Sequence, residues 1–242
     1  MNIYNDIAPY YDRSMSYVDY PGWYRYLKRL LKYYHHNPGT LIDLGGGTGS
    51  LALQFTQNGY RMDILDKSGP MLREARKKKY AKPVSFFNKD LQHFKLRRRY
   101  DTAFCLNNTI NYLATKKALH DMFGCCSDIL KKNSLLILDN CSPHYYRNYY
   151  NGRNFSNKCP GFIYNWRHTY KPERKKAVMY FEIVTDQGKY FREKHINILH
   201  ADTTVTRAAA DHFECLAVLD GFSFKKRHAR SKEIYYVMRK KA

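Results

Sequence analysis

Long apolar runs and paired cysteines are missing from this 242-residue sequence, and each absence argues against a class of protein. No stretch holds eighteen consecutive apolar residues, which excludes a membrane-spanning helix. The first fifteen residues carry acids and lack an apolar centre, so we expect no secretory signal there. The six cysteines include no Cys-x-x-Cys pair, which favours free thiols in the cytoplasm over disulfides or a zinc site.

Acidic residues are few relative to basic ones: 21 Asp and Glu oppose 42 Lys and Arg, for a net charge of +21. Such a field attracts nucleic acid, anionic membranes or acidic partners, but it does not determine a fold. The excess is concentrated in residues 66–99 and 225–241. Arg76-Lys77-Lys78-Lys79 is either a solvated helix surface or a docking surface for an acidic peptide or RNA. The 23 tyrosines can serve core packing, stacking on a ligand, or both.

The first half of the chain alternates short apolar segments with amphipathic ones. The predicted strands cover residues 40–44, 61–65, 83–87, 100–106 and 135–138. The predicted helices cover residues 21–34, 71–79 and 118–130, with a further helix between Leu51 and Asn58. This alternation indicates an α/β fold with a parallel sheet covered on both faces.

A different pattern begins after Pro143. Residues 162–170, 178–185 and 190–198 either alternate with period two or are rich in β-branched and aromatic side chains, and turn residues separate them. They predict an antiparallel meander of three strands inserted into the α/β fold. Residues 206–219 have a helical pattern that ends near Gly221, and residues 222–224 and 234–238 predict a closing hairpin.

The glycine-rich turn Gly45–Gly49 follows the first strand and is the strongest functional signal. Glycines at a strand end let the backbone approach a ligand closely. No lysine follows Gly49 in the register of a phosphate-binding loop, and Ser50 makes the dinucleotide-binding pattern only partial. The pattern Asp-x-Gly-x-Gly-x-Gly from Asp43 fits a third type of cofactor turn, with an acid placed to meet a cationic amino group. A purely structural turn is the alternative.

Three acids follow successive predicted strands: Asp43, Asp66 and Asp90. Each alone is most simply a helix cap or turn residue. Together they mark the carboxyl edge of a parallel sheet, where open α/β folds bind their ligands. Asp66 is placed to accept hydrogen bonds from ribose hydroxyls, and Asp90 with Leu91 suits an adenine amine and an apolar wall.

These residues resemble the class I S-adenosylmethionine-dependent methyltransferases. Leu41–Gly49 is close to that family's nucleotide-binding motif, and the resemblance extends over nearly the whole chain. The N-terminal pattern Tyr4-x-x-Ile7-Ala8-x-x-Tyr11-Asp12-x-x-Met15, continued by Asp19-Tyr20-x-x-Trp23, is similar to the helix that folds over the cofactor in a bacterial subgroup. Asn111-Tyr112-Leu113 also resembles the subgroup, whereas Lys131–Ser134 departs from the usual Lys-Pro-Gly-Gly turn.

The resemblance implies S-adenosyl-L-methionine as cofactor and S-adenosyl-L-homocysteine as product. Asp43, Gly45 and Gly47 would line the methionine end, Asp66 would bind the ribose, and Asp90 and Leu91 would frame the adenine. The residues expected to bind the cofactor are Tyr11, Trp23, Asp43, Gly45, Gly46, Gly47, Asp66, Lys67, Asp90, Leu91, Leu106 and Asn107. No metal is expected.

The resemblance also implies a Rossmann-like, seven-stranded sheet, mostly parallel with the last strand antiparallel. We expect residues 1–143 and 199–242 to form the cofactor-binding core. Residues 144–198 are expected to form an antiparallel lid that binds the acceptor.

The methyl acceptor is inferred by exclusion and by charge. The Asn/Asp-Pro-Pro-Tyr signature of base-amine methylation is absent, and 242 residues leave no room for an appended RNA-binding module. The leading hypothesis is direct SN2 transfer to an acidic peptide or its carboxylate, oriented by Arg167 or Arg192. His195, in a Glu-x-His pattern that resembles the subgroup, is a candidate base, and Tyr11 is a candidate contact to the acceptor.

Other functions stay open. A small-molecule N- or O-methyltransferase is the first alternative and an RNA methyltransferase the second. A non-catalytic module that binds the cofactor or RNA is a third. His195 also fits a structural histidine, and Arg167 and Arg192 also fit ordinary exposed strand residues. An anionic acceptor is the expected partner, with nucleic acid less favoured and no membrane expected.

Overall fold

The computed structural model describes residues 3–241, which form eleven strands and seven α-helices. The strands are β1 (Thr40–Leu44), β2 (Arg61–Asp66), β3 (Phe86–Asn88), β4 (Tyr100–Cys105), β5 (Leu130–Cys141), β6 (Asn154–Cys159), β7 (Phe162–Lys171), β8 (Lys176–Thr185), β9 (Tyr190–Ile198), β10 (Phe213–Asp220) and β11 (Glu233–Lys240). The helices are α1 (Ala8–Ser14), α2 (Tyr20–Tyr33), α3 (Ser50–Gln57), α4 (Gly69–Arg76), α5 (Lys116–Ile129), α6 (Pro143–Tyr145) and α7 (Asp202–Ala209). A 3-10 turn covers Thr109–Tyr112, a further one covers Pro172–Arg174, and a π-helical turn, Tyr146–Tyr150, continues α6.

The larger sheet has seven strands in the order β10-β11-β5-β4-β1-β2-β3. Strands β1 to β5 pair in parallel, while β11 runs antiparallel to both of its neighbours, β5 and β10. The predicted Rossmann-like sheet with an antiparallel last strand is therefore confirmed. Because β1, β2 and β4 lie side by side, their carboxyl ends meet at one edge.

Helices cover this sheet on both faces because their apolar residues recur at helical spacing. On one face α2 buries Tyr26, Leu27, Leu30 and Leu31 in the same cluster as Phe55 of α3. On the other face α5 buries a comparable stripe against the sheet. Capping fixes where these helices begin: the carboxylate of Asp19 accepts the Gly22 N–H at 2.8 Å, and the Thr115 hydroxyl accepts the Ala118 N–H at 3.0 Å.

The region after α7 differs from the sequence-based prediction. A helix was expected over residues 206–219, but α7 ends at Ala209 and Phe213–Asp220 forms β10. The prediction of helix there was wrong because β10 gains a full ladder of hydrogen bonds with β11, which outweighs its local helical pattern. Phe222 and its neighbours lie in the β10–β11 connection instead of forming a strand. Strand β5 begins at Leu130 and runs through the Lys131–Ser134 segment, where Asn133 adopts a φ of 63°.

The inserted sheet is antiparallel, as predicted, but it has four strands in the order β6-β7-β8-β9. Strand β6 was missed because its sequence, NFSNKC, is polar and short. The inner face of this sheet packs on the N-terminal segment: Ile7 lies in one buried cluster with Phe162, Phe181 and Ile183. The N-terminus thus bridges the two sheets.

The described residues contain free cysteines and no membrane-spanning helix. No helix among residues 3–241 is long and apolar enough to cross a membrane. All six cysteines are free thiols, in agreement with the prediction from their spacing. Residues 1, 2 and 242 lie outside the described part of the chain.

Asp63 in β2 is a buried carboxylate on which three neighbours depend, and its removal should destabilise the fold. It accepts hydrogen bonds from the Tyr100 hydroxyl at 2.8 Å, the Ser85 N–H at 2.9 Å and the Arg98 guanidinium at 2.5 Å. We predict that Asp63→Ala lowers the free energy of unfolding by about 3 kcal/mol, because a buried phenol and an amide lose their partner. Urea denaturation measures this. Asp121→Asn, in an exposed pair with Lys117, should leave the midpoint unchanged; equal midpoints for both variants would contradict the role of Asp63.

Candidate active site

The glycine turn connects β1 to α3 and lets the backbone pass close to other groups. Gly45 and Gly47 have φ values of 75° and 55°, which side chains rarely adopt. A Cβ atom on Gly45 would lie 2.4 Å from the Thr109 methyl group. The turn therefore needs glycine at Gly45 for both conformation and space.

Asp43 lies in the last part of β1 and lines the cavity formed by this turn. The cavity is also bounded by Gly45, Gly46, Gly47 and Leu106, in the arrangement expected from the sequence. The Asp43 side chain is only 4% exposed and makes no hydrogen bond or ion pair with another residue in the described range 3–241. Burial, and then the negative charge of Asp66, raise the pKa of Asp43 to about 7.

Asp66, at the end of β2, is fixed by the backbone. Its Oδ2 accepts the Gly47 N–H at 2.8 Å and its Oδ1 accepts the Ser68 N–H at 2.7 Å. Burial raises the pKa of Asp66 and these backbone donors oppose the rise. Each carboxylate oxygen keeps a second lone pair that a ligand hydroxyl can use.

Asp90 and Lys67, both expected to contact the cofactor, contact each other. Lys67 Nζ donates to Asp90 Oδ2 at 2.6 Å, and Asp90 also accepts the Gln92 N–H at 2.9 Å. Leu91 is 9% exposed and packs in the core cluster that contains Ile110. The lysine is largely exposed, so it can leave the carboxylate without disturbing packing.

Asn107, after β4, adopts an unusual backbone that a buried acid stabilises. Both Asn107 and Asn108 have a φ of 61°, a region that asparagine tolerates better than most residues. Their N–H groups donate to the two carboxylate oxygens of Asp139 at 2.9 and 2.6 Å. The Asn107 amide then donates to the Tyr11 hydroxyl at 3.2 Å, which joins the sheet edge to α1.

Helix α1 is anchored on the glycine turn through Asp12. The hydroxyl of Thr48 donates to Asp12 Oδ1 at 2.5 Å, and that of Ser50 does so at 3.2 Å. Lys78 forms an ion pair with the other oxygen at 2.7 Å. The N-terminal helix therefore covers the turn.

A second, larger cavity of about 840 Å³ lies between the sheet edge and the inserted sheet. It shares Tyr11, Trp23 and Asn107 with the cavity at the glycine turn, so the two spaces meet at these side chains. Eight tyrosines line it: Tyr4, Tyr11, Tyr17, Tyr112, Tyr146, Tyr149, Tyr150 and Tyr164. Much of the tyrosine excess in the sequence is thus placed around one space.

The larger cavity has no lysine or arginine among its lining residues, all of which belong to the described part of the chain. Its titratable groups other than phenols and a thiol are Asp19, Glu233 and His168. Burial lowers the pKa of His168 to about 4, so this imidazole is neutral at pH 7, and its Nδ1 lies 2.9 Å from the Tyr146 hydroxyl. Burial raises the pKa of Glu233.

Arg167 and Arg192 lie on the outer face of the inserted sheet, away from this cavity. Arg167 lies between Trp166 and His168, which line the cavity, and successive side chains of a strand point to opposite faces. Tyr180 is the cross-strand partner of Arg167, and Glu182 is the cross-strand partner of Arg192, so these side chains share the outer face. Both arginines pair with Glu182, at 2.6 and 3.5 Å, and each is nearly half exposed. The expectation that they orient an acceptor is therefore not retained. His195 does face inward, but it lies behind Tyr112, whose hydroxyl is 3.1 Å from His195 Nδ1.

Comparisons with known proteins agree with this geometry. A family model described as a methyltransferase domain matches residues 41–133. A curated protein of Geobacillus sp. (strain WCH70), described as a methyltransferase, is 26% identical over 202 residues, which cover 80% of this chain and 81% of that protein. The crystal structure of an S-adenosylmethionine-dependent methyltransferase from Clostridium acetobutylicum ATCC 824 superposes with a TM-score of 0.83 at 22% identity and covers all of both chains.

The match to a methyltransferase domain and these likenesses support a class I S-adenosylmethionine-dependent methyltransferase. Its fold is also similar to a sugar N-methyltransferase of Streptoalloteichus sp. ATCC 53650, with a TM-score of 0.75, 18% identity, and coverage of 94% of this chain and 90% of that one.

The buried carboxylate of Asp43 fits the α-ammonium group of S-adenosylmethionine. A buried carboxylate without an internal partner is costly unless a ligand supplies the opposite charge. Asp43 meets that description at the mouth of the glycine turn, where an α-ammonium group would neutralise it. When bound, the cofactor supplies an electrophilic sulfonium methyl group.

Several residues of the site escaped the sequence analysis. Asp139 and Glu233 lie one residue outside the predicted strands 135–138 and 234–238, where an acid has no distinctive spacing. His168 is one member of an alternating run. Tyr4, Tyr112 and Glu193 were noticed only as parts of motifs. Tyr4 is placed beside Tyr112 by a contact between segments more than a hundred residues apart, which no local pattern encodes.

We predict that Asp43→Asn separates stability from cofactor binding. The raised pKa means that folded Asp43 holds a proton that the unfolded chain has lost, so the free energy of unfolding falls as pH rises from about 4 to about 7. The asparagine variant should lack this loss and show a higher Tm than wild type at about pH 8. It should bind S-adenosylhomocysteine about 100-fold more weakly, because the ligand ammonium loses its buried partner.

Calorimetric melting without ligand and isothermal titration with S-adenosylhomocysteine measure the two effects. Asp121→Asn serves as the control, since its carboxylate is on the surface of α5. Unchanged affinity in Asp43→Asn would show that this carboxylate does not bind the ammonium.

Proposed function

We propose that this methyltransferase transfers a methyl group to the amine of a small, hydroxylated molecule that occupies the larger cavity. The observation that carries the proposal is the lining of that cavity, which combines phenols, carboxamides and the acids Asp19 and Glu233 with no lysine or arginine. A carboxylate acceptor would enter this space without a cationic partner. A protonated amine would instead meet aromatic faces and acids, both of which attract cations.

Buried polar atoms without partners point to a ligand with several hydrogen-bonding groups. Both polar atoms of the Asn111 side chain, the Nδ2 of Asn197 and the Nε1 of Trp166 are buried and make no hydrogen bond to described residues. All three side chains line the larger cavity. Unpaired buried amides cost about 1–3 kcal/mol each, so their retention supports a role in holding hydroxyl groups of an acceptor.

The likeness to a sugar N-methyltransferase supports the same class of acceptor. An amino sugar carries both required features, a basic nitrogen and a ring of hydroxyl groups. The tyrosine and tryptophan faces of the cavity suit the apolar face of such a ring.

In the proposed reaction the chain mainly positions and desolvates its ligands. Asp43 holds the ammonium of the cofactor, Asp66 its ribose, and Asp90 with Leu91 its adenine. Tyr11, Trp23 and Asn107 stand where the two cavities meet, so they limit how the acceptor nitrogen approaches the methyl group. Helix α1 closes over this point and excludes water.

The test is methyl transfer from radiolabelled S-adenosylmethionine to a panel of acceptors. The panel contains the methyl glycosides of glucosamine and galactosamine, their N-acetylated forms, a poly-glutamate peptide and an unstructured RNA. We expect label in the free amines and none in the acetylated forms. Label in the peptide carboxylates, or in RNA with a steep decrease as salt rises, would replace the proposal by one of the sequence-based alternatives.

We further predict that Asn111→Leu raises the stability of the protein and weakens its binding of the acceptor. The variant replaces two unpaired buried polar atoms by methyl groups and keeps the number of side-chain heavy atoms, so the Tm without ligand should rise or stay constant. The KM for the amino sugar should rise about 10-fold or more, while the affinity for S-adenosylhomocysteine should not change. Steady-state kinetics and thermal melting measure these effects.

Asn140→Leu is the matched control for that variant. Asn140 is also fully buried and its Oδ1 is unpaired as well, but its Nδ2 donates to the His200 carbonyl at 2.8 Å and the residue does not line the cavity. This change should lower the Tm and leave the KM near its wild-type value. A lower Tm and an unchanged KM in Asn111→Leu would show that Asn111 is structural.

A further inference from the structure

A chain of four polar side chains runs from the larger cavity into the inserted sheet. The hydroxyls of Tyr4 and Tyr112 are 2.7 Å apart, and both side chains line the cavity. The Tyr112 hydroxyl is 3.1 Å from His195 Nδ1, and His195 Nε2 is 3.4 Å from Glu193 Oε2. His195 and Glu193 are buried in β9, so only the phenols reach the cavity.

Glu193 is held in place as an anion. Its carboxylate accepts the backbone N–H groups of Tyr4 at 2.5 Å, Asn5 at 2.8 Å and Asp6 at 3.0 Å. Burial raises its pKa, but the nearby His195 imidazole and these backbone N–H groups outweigh that effect and bring the pKa below its ordinary value. The contact between His195 Nε2 and Glu193 is electrostatic, because this buried nitrogen makes no hydrogen bond to described residues. An ionised Glu193 favours a proton on His195 Nε2, which leaves Nδ1 free to accept one from Tyr112.

The phenol of Tyr112 keeps its proton at neutral pH. Burial is the largest cause that raises its pKa, to about 12. A neutral hydroxyl between a cavity and an imidazole can accept one proton while it gives up another. Tyr112 is therefore suited to pass a proton along and not to store a negative charge.

The other titratable groups near this chain do not interrupt it. Tyr4 contacts both Tyr112 and His195, with a distance of 4.7 Å between the ring centres of Tyr4 and His195. Asp66 is close enough to raise the pKa of both phenols. On β8 the residue opposite His195 is the uncharged Met179.

We propose that Tyr112, backed by His195 and Glu193, removes the proton from the acceptor amine; this rests on the proposed function, in which the acceptor is an amine. Amines are protonated at neutral pH and have no free lone pair. One N–H bond breaks, its electron pair stays on nitrogen, and the proton moves to the Tyr112 oxygen. The original Tyr112 proton moves to His195 Nδ1, where Glu193 stabilises the imidazolium.

The freed lone pair then forms the new C–N bond, while the broken C–S bond leaves its electron pair on sulfur. Tyr112 is the catalytic residue in this scheme because it touches the acceptor. His195 and Glu193 are positioning residues, since they act through Tyr112. After the product leaves, His195 returns a proton to the Tyr112 oxygen, and Tyr112 releases its other proton to water that enters the cavity.

The kinetic test uses Tyr112→Phe and His195→Gln with the methyl glycoside of glucosamine as acceptor. Loss of a proton acceptor should lower kcat about 100-fold. The KM for the amine and the affinity for S-adenosylhomocysteine should stay within about threefold of wild type. The rate of each variant should also rise with pH until the amine itself deprotonates, because only the uncharged amine then reacts.

Tyr190→Phe and His120→Gln are the matched controls. Tyr190 is exposed on the outer face of the inserted sheet, and His120 pairs with Asp211 on the surface. Both should keep the wild-type kcat and pH profile. Wild-type values in Tyr112→Phe or His195→Gln would overturn the relay, whereas a loss of cofactor affinity or Tm would assign them a structural role.

Nitrogen NMR of the histidine rings tests the relay without an acceptor. In the wild-type protein we expect His195 to carry its proton on Nε2. The chemical shift of its Nδ1 should show the hydrogen bond from Tyr112, and this effect should disappear in Tyr112→Phe. A proton on Nδ1 would overturn the relay. If the amines of the panel are not methylated but the NMR result is as expected, the proposed function fails while the relay stands for another protonated acceptor.

Discussion

The site depends on how buried carboxylates are neutralised at the carboxyl edge of the parallel sheet. Asp66 and Asp139 receive two backbone N–H groups each, and these bonds fix the glycine turn and the Asn107–Asn108 backbone. Asp43 lies between them without such a partner. Because a buried charge must be paired or protonated, Asp43 is an acid that a ligand cation would neutralise.

A fourth carboxylate connects the inserted sheet to the rest of the chain. Glu193 in β9 binds the backbone N–H groups of residues 4–6, just before α1 begins. Asp12 then ties α1 to the glycine turn. The larger cavity and the cavity at the glycine turn are therefore linked through one short N-terminal segment.

The large positive charge and the many tyrosines turn out to have separate locations. Cations occupy outer surfaces, such as Arg167 and Arg192 around Glu182, whereas tyrosines surround the larger cavity. Removing water from an arginine costs free energy unless the guanidinium is paired, and removing water from a phenol costs less free energy. The basic excess thus lies outside the lining of the larger cavity, which holds no lysine or arginine.

The antiparallel last strand was expected from the family resemblance. The sequence alone was sufficient for the α/β class and the cluster of Asp43, Gly45, Gly46 and Gly47, because these follow from local periodicity and from turns of a few residues. It misassigned Phe213–Asp220, where pairing with β11 decides the conformation. It also placed Arg167 and Arg192 in the active site, although residue type cannot tell which face of a strand meets a cavity. The lining of that cavity, which holds two acids but no lysine or arginine, and the path from Tyr112 to Glu193 exist only in the tertiary structure, because they join side chains that are distant in the sequence.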